Sequence, residues 1–227
     1  MPINSALILR FVPVVVLLTA LVGCPPVDVV NGPEPPIDEP RDNDEPRDND
    51  EPEDNDETVD PPPTIPQVLL TESLRATCLV VVDDQIPAGE LPDLDGQMHA
   101  IYDLLGEKFT ILLFWSSGNM HSVVQLEDLA RDLAESVAAQ GGRIVAVNVD
   151  DTAEKAKETT AAANADFLIL LDPERAYFSK LATKQLPRTY VLDPEGRILW
   201  FDLEYSRSTE RDLKQTIDVI LMEDPPP

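Results

Sequence analysis

Cysteine, histidine and basic residues are all scarce in this chain. Its 227 residues include two cysteines and two histidines, and 17 Lys and Arg stand against 43 Asp and Glu, which gives a net charge of −26. A chain this acidic repels nucleic acid and anionic membrane surfaces, so we expect no nucleic-acid partner. The two cysteines, Cys24 and Cys78, leave no disulfide inside the folded part if Cys24 is used elsewhere.

The amino-terminal residues predict an export signal. Arg10 precedes an apolar segment, Phe11 to Ala20, that is too short to span a bilayer as a mature helix. Leu21-Val-Gly-Cys24 resembles a bacterial lipobox, which implies cleavage before Cys24 and its lipidation. We therefore expect residues 1–23 to be a lipoprotein signal peptide. The alternatives are an ordinary signal peptide with a chance cysteine, or an uncleaved anchor.

A lipid anchor would place the protein in the cell envelope, facing the periplasm or the cell exterior. Pro25 is not the Asp that retains lipoproteins at the inner membrane of enteric bacteria, which favours the outer membrane if the cell is Gram-negative. Membrane association is then expected through the lipid alone, because the protein part is acidic.

Residues 24–66 are predicted to be the lipidated cysteine followed by a disordered spacer. Three six-residue units follow one another, Glu39–Asp44, Glu45–Asp50 and Glu51–Asp56, each rich in Asp, Asn and Glu with one Pro. Prolines and like charges without apolar side chains cannot offset the entropy of ordering. Weak cation binding by the Asp-Asn-Asp units is an alternative, although the Gly and closing Glu of a calcium loop are missing. Residues 67–227 keep a net charge of −14 and suit one domain.

One segment of that domain carries a family resemblance. Thr110–Trp115 is an apolar run typical of a buried strand, and Ser116–Ser122 precedes a helical pattern. This arrangement resembles the Phe-Trp-Ala-Thr-Trp-Cys-X-X-Cys motif of TlpA-like thiol-disulfide oxidoreductases, which are related to the AhpC/TSA proteins. Asn119-Met120-His121-Ser122 stands where that family has its Cys-X-X-Cys dithiol. An amide and a hydroxyl cannot form a disulfide or supply a thiolate, so we expect no dithiol catalysis here.

The resemblance extends over about residues 86–222 and predicts a thioredoxin-like α/β fold, a central mixed sheet flanked by helices. It implies that Pro187 is the family's cis-proline, facing the former dithiol positions Asn119 and Ser122. Other expected elements are a hairpin with a turn at Gly96, a turn at Asp193–Gly196, strands at 143–149, 167–171, 190–192 and 198–201, and a last helix with Leu213, Ile217, Ile220 and Leu221 on its apolar face. Residues 67–85 are expected to add a strand or hairpin, with Leu79 to Asp83 as the strand. Trp115 is expected at the edge of the domain.

Helix caps explain most of the polar residues. Asn119 is a candidate N-cap for the helix that follows, and Ser122 begins an alternative capping box. Gly118 and Ser122 are both expected at an exposed helix start. Asp172-Pro173 is predicted to be an N-cap and first-turn pair, and Asp151 an N-cap with Glu154 in the first turn.

A metal or catalytic site has little support in the sequence. His121 could be a base or a ligand, but His99 is the one other histidine, and no cysteine lies in the motif. The pair Asp150 and Asp151 lacks further ligands. We expect no metal, no cofactor and no catalytic residue.

The expected function is therefore that of a redox-inactive binding or scaffold module at the envelope, whose partner is an envelope protein or an extended polypeptide. The alternative is a divergent thiol-disulfide oxidoreductase or antioxidant protein that uses Cys78 or a partner's thiol. We expect no basic residue close enough to Cys78 to lower the pKa of its thiol, which favours a structural free thiol.

Overall fold

The computed structural model describes residues 62–223. The predicted signal peptide, the lipidation site Cys24 and the spacer as far as residue 61 fall outside the described residues. Within residues 62–223, no helix is long and apolar enough to cross a membrane.

A five-stranded mixed sheet forms the centre of the domain. Its strands are β3 Phe109–Trp115, β4 Gly142–Val149, β5 Leu168–Asp172, β6 Arg188–Leu192 and β7 Ile198–Asp202. They lie in the order β5-β4-β3-β6-β7, and β3 pairs in parallel with β4 and antiparallel with β6. All seven residues of β3 are buried, as a continuous apolar run predicts for a strand covered on both faces. The predicted thioredoxin-like α/β fold is confirmed.

Two hydrophobic clusters lie on the two faces of this sheet. Alternate residues of β3 point to opposite faces, so Leu113 and Trp115 join one cluster while Leu112 and Phe114 join the other. The first face carries α2 Met120–Asp128, α3 Ala134–Ala139 and α6 Arg207–Glu223, with a single π-helical segment Leu129–Leu133 between α2 and α3. Trp115 is fully buried in this cluster, so its predicted place at the domain edge is wrong.

The remaining elements are short. The hairpin β1 Glu90–Pro92 and β2 Met98–Ala100 turns at Gly96, whose φ of +86° suits glycine. A 3₁₀ helix spans Ile101–Leu104, and the helices α1 Glu72–Arg75, α4 Ala153–Ala162 and α5 Phe178–Leu181 complete the domain.

Three local predictions are wrong. Residues 79–83 form no strand: this segment is irregular and is flanked by isolated bridges at Cys78 and Gln85. Pro173 lies in a turn and α5 starts at Phe178, but the carboxylate of Asp172 still accepts from the backbone N–H of Phe178 at 2.7 Å. The N-cap of α4 is Thr152, whose hydroxyl accepts from the N–H of Lys155.

Residues near the start of the described chain pack on the domain. Ile65 lies against the cluster that contains α6, and the carbonyl of Thr64 accepts a hydrogen bond from Gln215 Nε2 at 2.9 Å. Part of the segment predicted to be spacer therefore contacts the folded domain.

Candidate functional site

The start of α2 is capped by Asn119. Its side-chain Oδ1 accepts from the N–H of Ser122 at 3.1 Å, and its backbone is extended, as an N-cap requires. The residue predicted to stand at the first dithiol position of the family motif therefore pairs with one of the N–H groups at the start of the helix.

The same side chain connects the helix to the loop before β6. Asn119 Nδ2 donates to the carbonyl of Leu186 at 2.8 Å, and the Leu186–Pro187 peptide bond is cis, the conformation that the resemblance implied. Asn119 and the cis-proline loop are thus adjacent in the structure, although 67 residues separate Asn119 from Leu186.

Ser122 is fully buried, contrary to the prediction that it lies at an exposed helix start. It occupies the first turn on the side of α2 that faces the sheet, and its Oγ has no hydrogen-bond partner. One turn later the buried Gln125 donates to Thr189 Oγ1 at 2.6 Å, while its own Oε1 has no partner. A much larger substituent at position 122 would therefore have to displace the side chains packed around it.

The loop between β3 and α2 is held by Asp151, a contact that the sequence does not indicate. The Asp151 carboxylate accepts from the N–H of Ser117 at 2.7 Å and from its hydroxyl at 2.8 Å, and Asn148 Nδ2 donates to it at 2.7 Å. This residue was predicted to cap α4. The parallel pairing of β3 with β4 instead brings the ends of both strands together, so that Asp151 reaches the motif loop.

An open cleft of about 270 Å³ lies beside Asn119 and Pro187. Its other lining residues are His121, Gln185, Leu186, Leu203, Glu204 and Tyr205. His121 is solvent-exposed, and the Tyr205 hydroxyl donates to Asp128 at 2.7 Å. Burial, reinforced by the bond to Asp128, raises the pKa of Tyr205 well above its ordinary value. No cysteine lines the cleft, and residues 62–223 contain no group of His, Cys, Asp or Glu that could hold a metal ion.

Cys78 lies on the opposite face of the sheet from α2, half-buried against the cluster that contains Phe114 and Tyr190. The expectation that nothing basic approaches it is wrong. Arg188 Nη1 donates to the Cys78 sulfur at 3.5 Å across 110 residues of sequence. Arg188 immediately follows Pro187 and pairs with Phe114, so its side chain points to the face that carries Cys78.

This sheet order, with a helix N-terminus packed against a cis-proline loop, defines a thioredoxin-like domain. The model of the AhpC/TSA family matches residues 82–201, more than half of the chain, and the chain belongs to that family. No functionally curated protein matches it significantly.

Solved bacterial structures share the fold. A protein from Chlorobium tepidum, assigned as thiol:disulfide interchange protein DsbE, has a TM-score of 0.55 at 23% identity, covering 63% of this chain and 99% of that one. A protein from Bacteroides thetaiotaomicron, assigned as a protein disulfide isomerase, has a TM-score of 0.59 at 19% identity, covering 64% of this chain and 93% of that one. A protein from Neisseria meningitidis, assigned as a thioredoxin, has a TM-score of 0.53 at 23% identity, covering 63% of this chain and 93% of that one. At these identities the likeness concerns the fold alone.

Proposed function

We propose that this protein is a thioredoxin-fold binding module without dithiol redox activity, held at the cell envelope by a lipid on Cys24, and that it binds an extended polypeptide in the cleft beside Pro187. The observation that carries the proposal is the Asn119–Leu186 hydrogen bond. It keeps the helix start and the cis-proline loop together around an open cleft, although position 119 has no thiol.

The character of the cleft supports a polypeptide with basic residues. Glu204 is exposed at its rim, and the part of the chain from residue 67 onward carries a net charge of −14. An acidic surface attracts cationic segments and repels anionic ones, most strongly at low ionic strength. Binding through the main chain of an extended segment needs no cysteine in the receptor.

A binding experiment with matched variants tests the cleft. Reduced, carbamidomethylated lysozyme supplies an unfolded, cationic polypeptide without free thiols, and its affinity is measured by fluorescence anisotropy. His121→Trp, which introduces a bulky side chain at the cleft, should abolish most of the binding. Met120→Trp is the control, because Met120 is 74% exposed and does not line the cleft. Equal affinity in the two variants, or no binding by the wild type, would contradict the proposal.

An insulin-reduction assay with dithiothreitol tests the absence of redox activity. The wild type should not accelerate insulin precipitation above background, because neither an attacking nor a resolving thiol exists at the motif. Catalysis that disappears in Cys78→Ser would favour the second candidate, a divergent oxidoreductase or antioxidant protein working through Cys78. The contact between Arg188 and the Cys78 sulfur is the observation that favours this second candidate.

The anchor has its own test. Cys24→Ala should release the protein from the membrane fraction and abolish incorporation of labelled fatty acid. Membrane association unchanged by the substitution, together with an unlabelled wild type, would contradict lipidation at Cys24.

A further inference from the structure

The guanidinium of Arg188 holds the loop that forms one wall of the cleft. Arg188 Nε donates to the carbonyls of Lys184 and Gln185, each at 3.2 Å, and Nη2 donates to Lys184 at 2.9 Å. Gln185 adopts a φ of +84°, an unusual conformation for a residue other than glycine. The loop therefore depends on bonds from Arg188, while Gln185, Leu186 and Pro187 line the cleft.

The environment of Arg188 is unusual for a buried charge. Its side chain is fully buried, and its acceptors in the described part of the chain are the two loop carbonyls, the carbonyl and hydroxyl of Thr77, and the sulfur of Cys78. No carboxylate there forms an ion pair with it, although buried charges are normally paired. Of these acceptors, the sulfur is the one that thiol–disulfide exchange can modify.

A second polar group near the sulfur is incompletely satisfied. The Tyr190 hydroxyl is fully buried, and no group of the described residues meets it at the distance and angle of a regular hydrogen bond. Burial raises the pKa of Tyr190, and the neighbouring Arg188 opposes that rise through its charge and through a weak interaction with the phenol oxygen. A buried hydroxyl without a regular hydrogen bond is uncommon and costs free energy. An acceptor attached to the sulfur could be hydrogen-bonded by both Tyr190 and Arg188.

The thiol can be reached from solvent. Cys78 lines an open groove of about 550 Å³, distinct from the cleft at Pro187, whose walls include Leu70, Val81 and Phe201. Arg75 is exposed at the same groove and supplies a second cation. A small molecule with an apolar body and an anionic group fits this lining.

We propose that Cys78 is a modification site for low-molecular-mass disulfides, and that its modification displaces Arg188, loosens the Lys184–Pro187 loop and so weakens binding in the cleft. The last part rests on the proposed function. In the reaction, the Cys78 thiol loses its proton to solvent and the sulfur attacks one sulfur of the small disulfide. A new S–S bond forms as the old one breaks, and the other half leaves as a thiolate. Cys78 is the free cysteine of the described residues, so the mixed disulfide persists until an external thiol cleaves it.

The first test uses the full chain carrying Cys24→Ser, which leaves Cys78 as its sole cysteine. The probe is 5,5′-dithiobis(2-nitrobenzoate), which has an aromatic body and a carboxylate. Under native conditions one thionitrobenzoate should be added per chain, as measured by absorbance and mass. The backbone amide NMR signals of residues 184–188 and the side-chain amide of Asn119 should then shift, while those of α4 stay in place. Reaction only in denaturant, or shifts confined to residues 74–82, would overturn the proposal.

The second test measures the effect on binding. Modification should weaken affinity for the unfolded lysozyme probe at least ~5-fold, the lower end of ordinary coupling between sites, and dithiothreitol should restore it. Cys78→Ser, which keeps an acceptor for Arg188, should bind like the untreated protein and not respond to the reagent. Unchanged affinity after complete modification would overturn the coupling. If the untreated protein does not bind the probe, the cleft function fails, and the amide shifts still decide whether Cys78 controls the loop.

Discussion

On one side of the Lys184–Pro187 loop, Asn119 binds the carbonyl of Leu186; on the other side, Arg188 binds the carbonyls of Lys184 and Gln185. The first side has the helix start and cis-proline arrangement of a thioredoxin-like site and contains no thiol. The second side has a thiol beside a buried cation and lacks that arrangement. The two regions show that hydrogen bonds from Asn119 on one side and from Arg188 on the other hold this loop without a thiol on the side of the cleft.

The largest expected effect concerns burial at the start of α2. Ser122→Trp should prevent folding or destabilise the domain by at least ~3 kcal/mol, because position 122 is fully buried against the sheet. Gly118→Trp should change stability by less than ~0.5 kcal/mol, since a Cβ at Gly118 would meet only Ser116 Oγ, at 3.8 Å. Urea unfolding followed by circular dichroism measures both. Similar stability of the two variants would remove the distinction between the buried and exposed sides of this helix start.

Restoring the dithiol tests whether the first region keeps its geometry. Asn119→Cys with Ser122→Cys, in a Cys78→Ser background, should form an intramolecular disulfide, because the two positions lie three apart at the first turn of α2. Closing so short a loop should make the oxidised form more stable than the reduced form by about 2 kcal/mol. Thiol titration, mass spectrometry and the insulin assay report the outcome. Two free thiols in a folded, air-oxidised protein would show that the motif alignment is wrong and would remove the support that the family resemblance gives to binding in the cleft.

The two bonds of Asn119 can be separated by a pair of substitutions. Asn119→Ala removes the cap and the bond to Leu186 and should cost about 1–2 kcal/mol. Asn119→Asp keeps an acceptor for the Ser122 N–H but loses the donor to Leu186, so its loss should be smaller. Chemical denaturation at neutral pH distinguishes them. Equal losses of stability in the two variants would mean that the bond to Leu186, and not the N-cap, accounts for the contribution of Asn119 to stability.

The smallest effect is a pH dependence at Asp202, at the end of β7 beside the cleft residue Leu203. Burial raises the pKa of Asp202, because the hydrogen bonds from Thr209 and Leu203 only partly offset the desolvation of its charge. The folded state therefore binds this proton more tightly than the unfolded state. Its contribution to the free energy of unfolding falls as the pH rises from below the ordinary aspartate pKa through the raised value. As the pH rises from 3 to 7, the free energy of unfolding of Asp202→Asn should therefore increase relative to that of the wild type.

The same denaturation curves carry the control for that effect. Asp93 has a lowered pKa, first because His99 donates a hydrogen bond to it at 2.8 Å. Asp93→Asn should therefore lose stability relative to the wild type as the pH rises over the same interval. Differences of the same sign in both variants would contradict the assignment of opposite shifts.

Local patterns in the sequence, together with the family resemblance, predicted the five strands of the sheet, the last helix, the turn at Gly96 and the cap at Asn119, because each depends on residues within a few positions of one another. Turn chemistry, alternation and capping are short-range effects. The apolar run of β3 likewise indicated a central strand.

Tertiary structure alone decided which distant groups meet. Ser122 is buried because α2 packs against the sheet. Asp151 binds Ser117 because β3 and β4 run in parallel and end side by side. Arg188 reaches Cys78 because its pairing with Phe114 directs its side chain to that face of the sheet. Each contact depends on strand register, and shifting a strand by one residue would turn its side chains to the opposite face. No local pattern records that register. The sequence therefore predicted the absence of cysteines at positions 119 and 122 and missed the contact between Arg188 and Cys78.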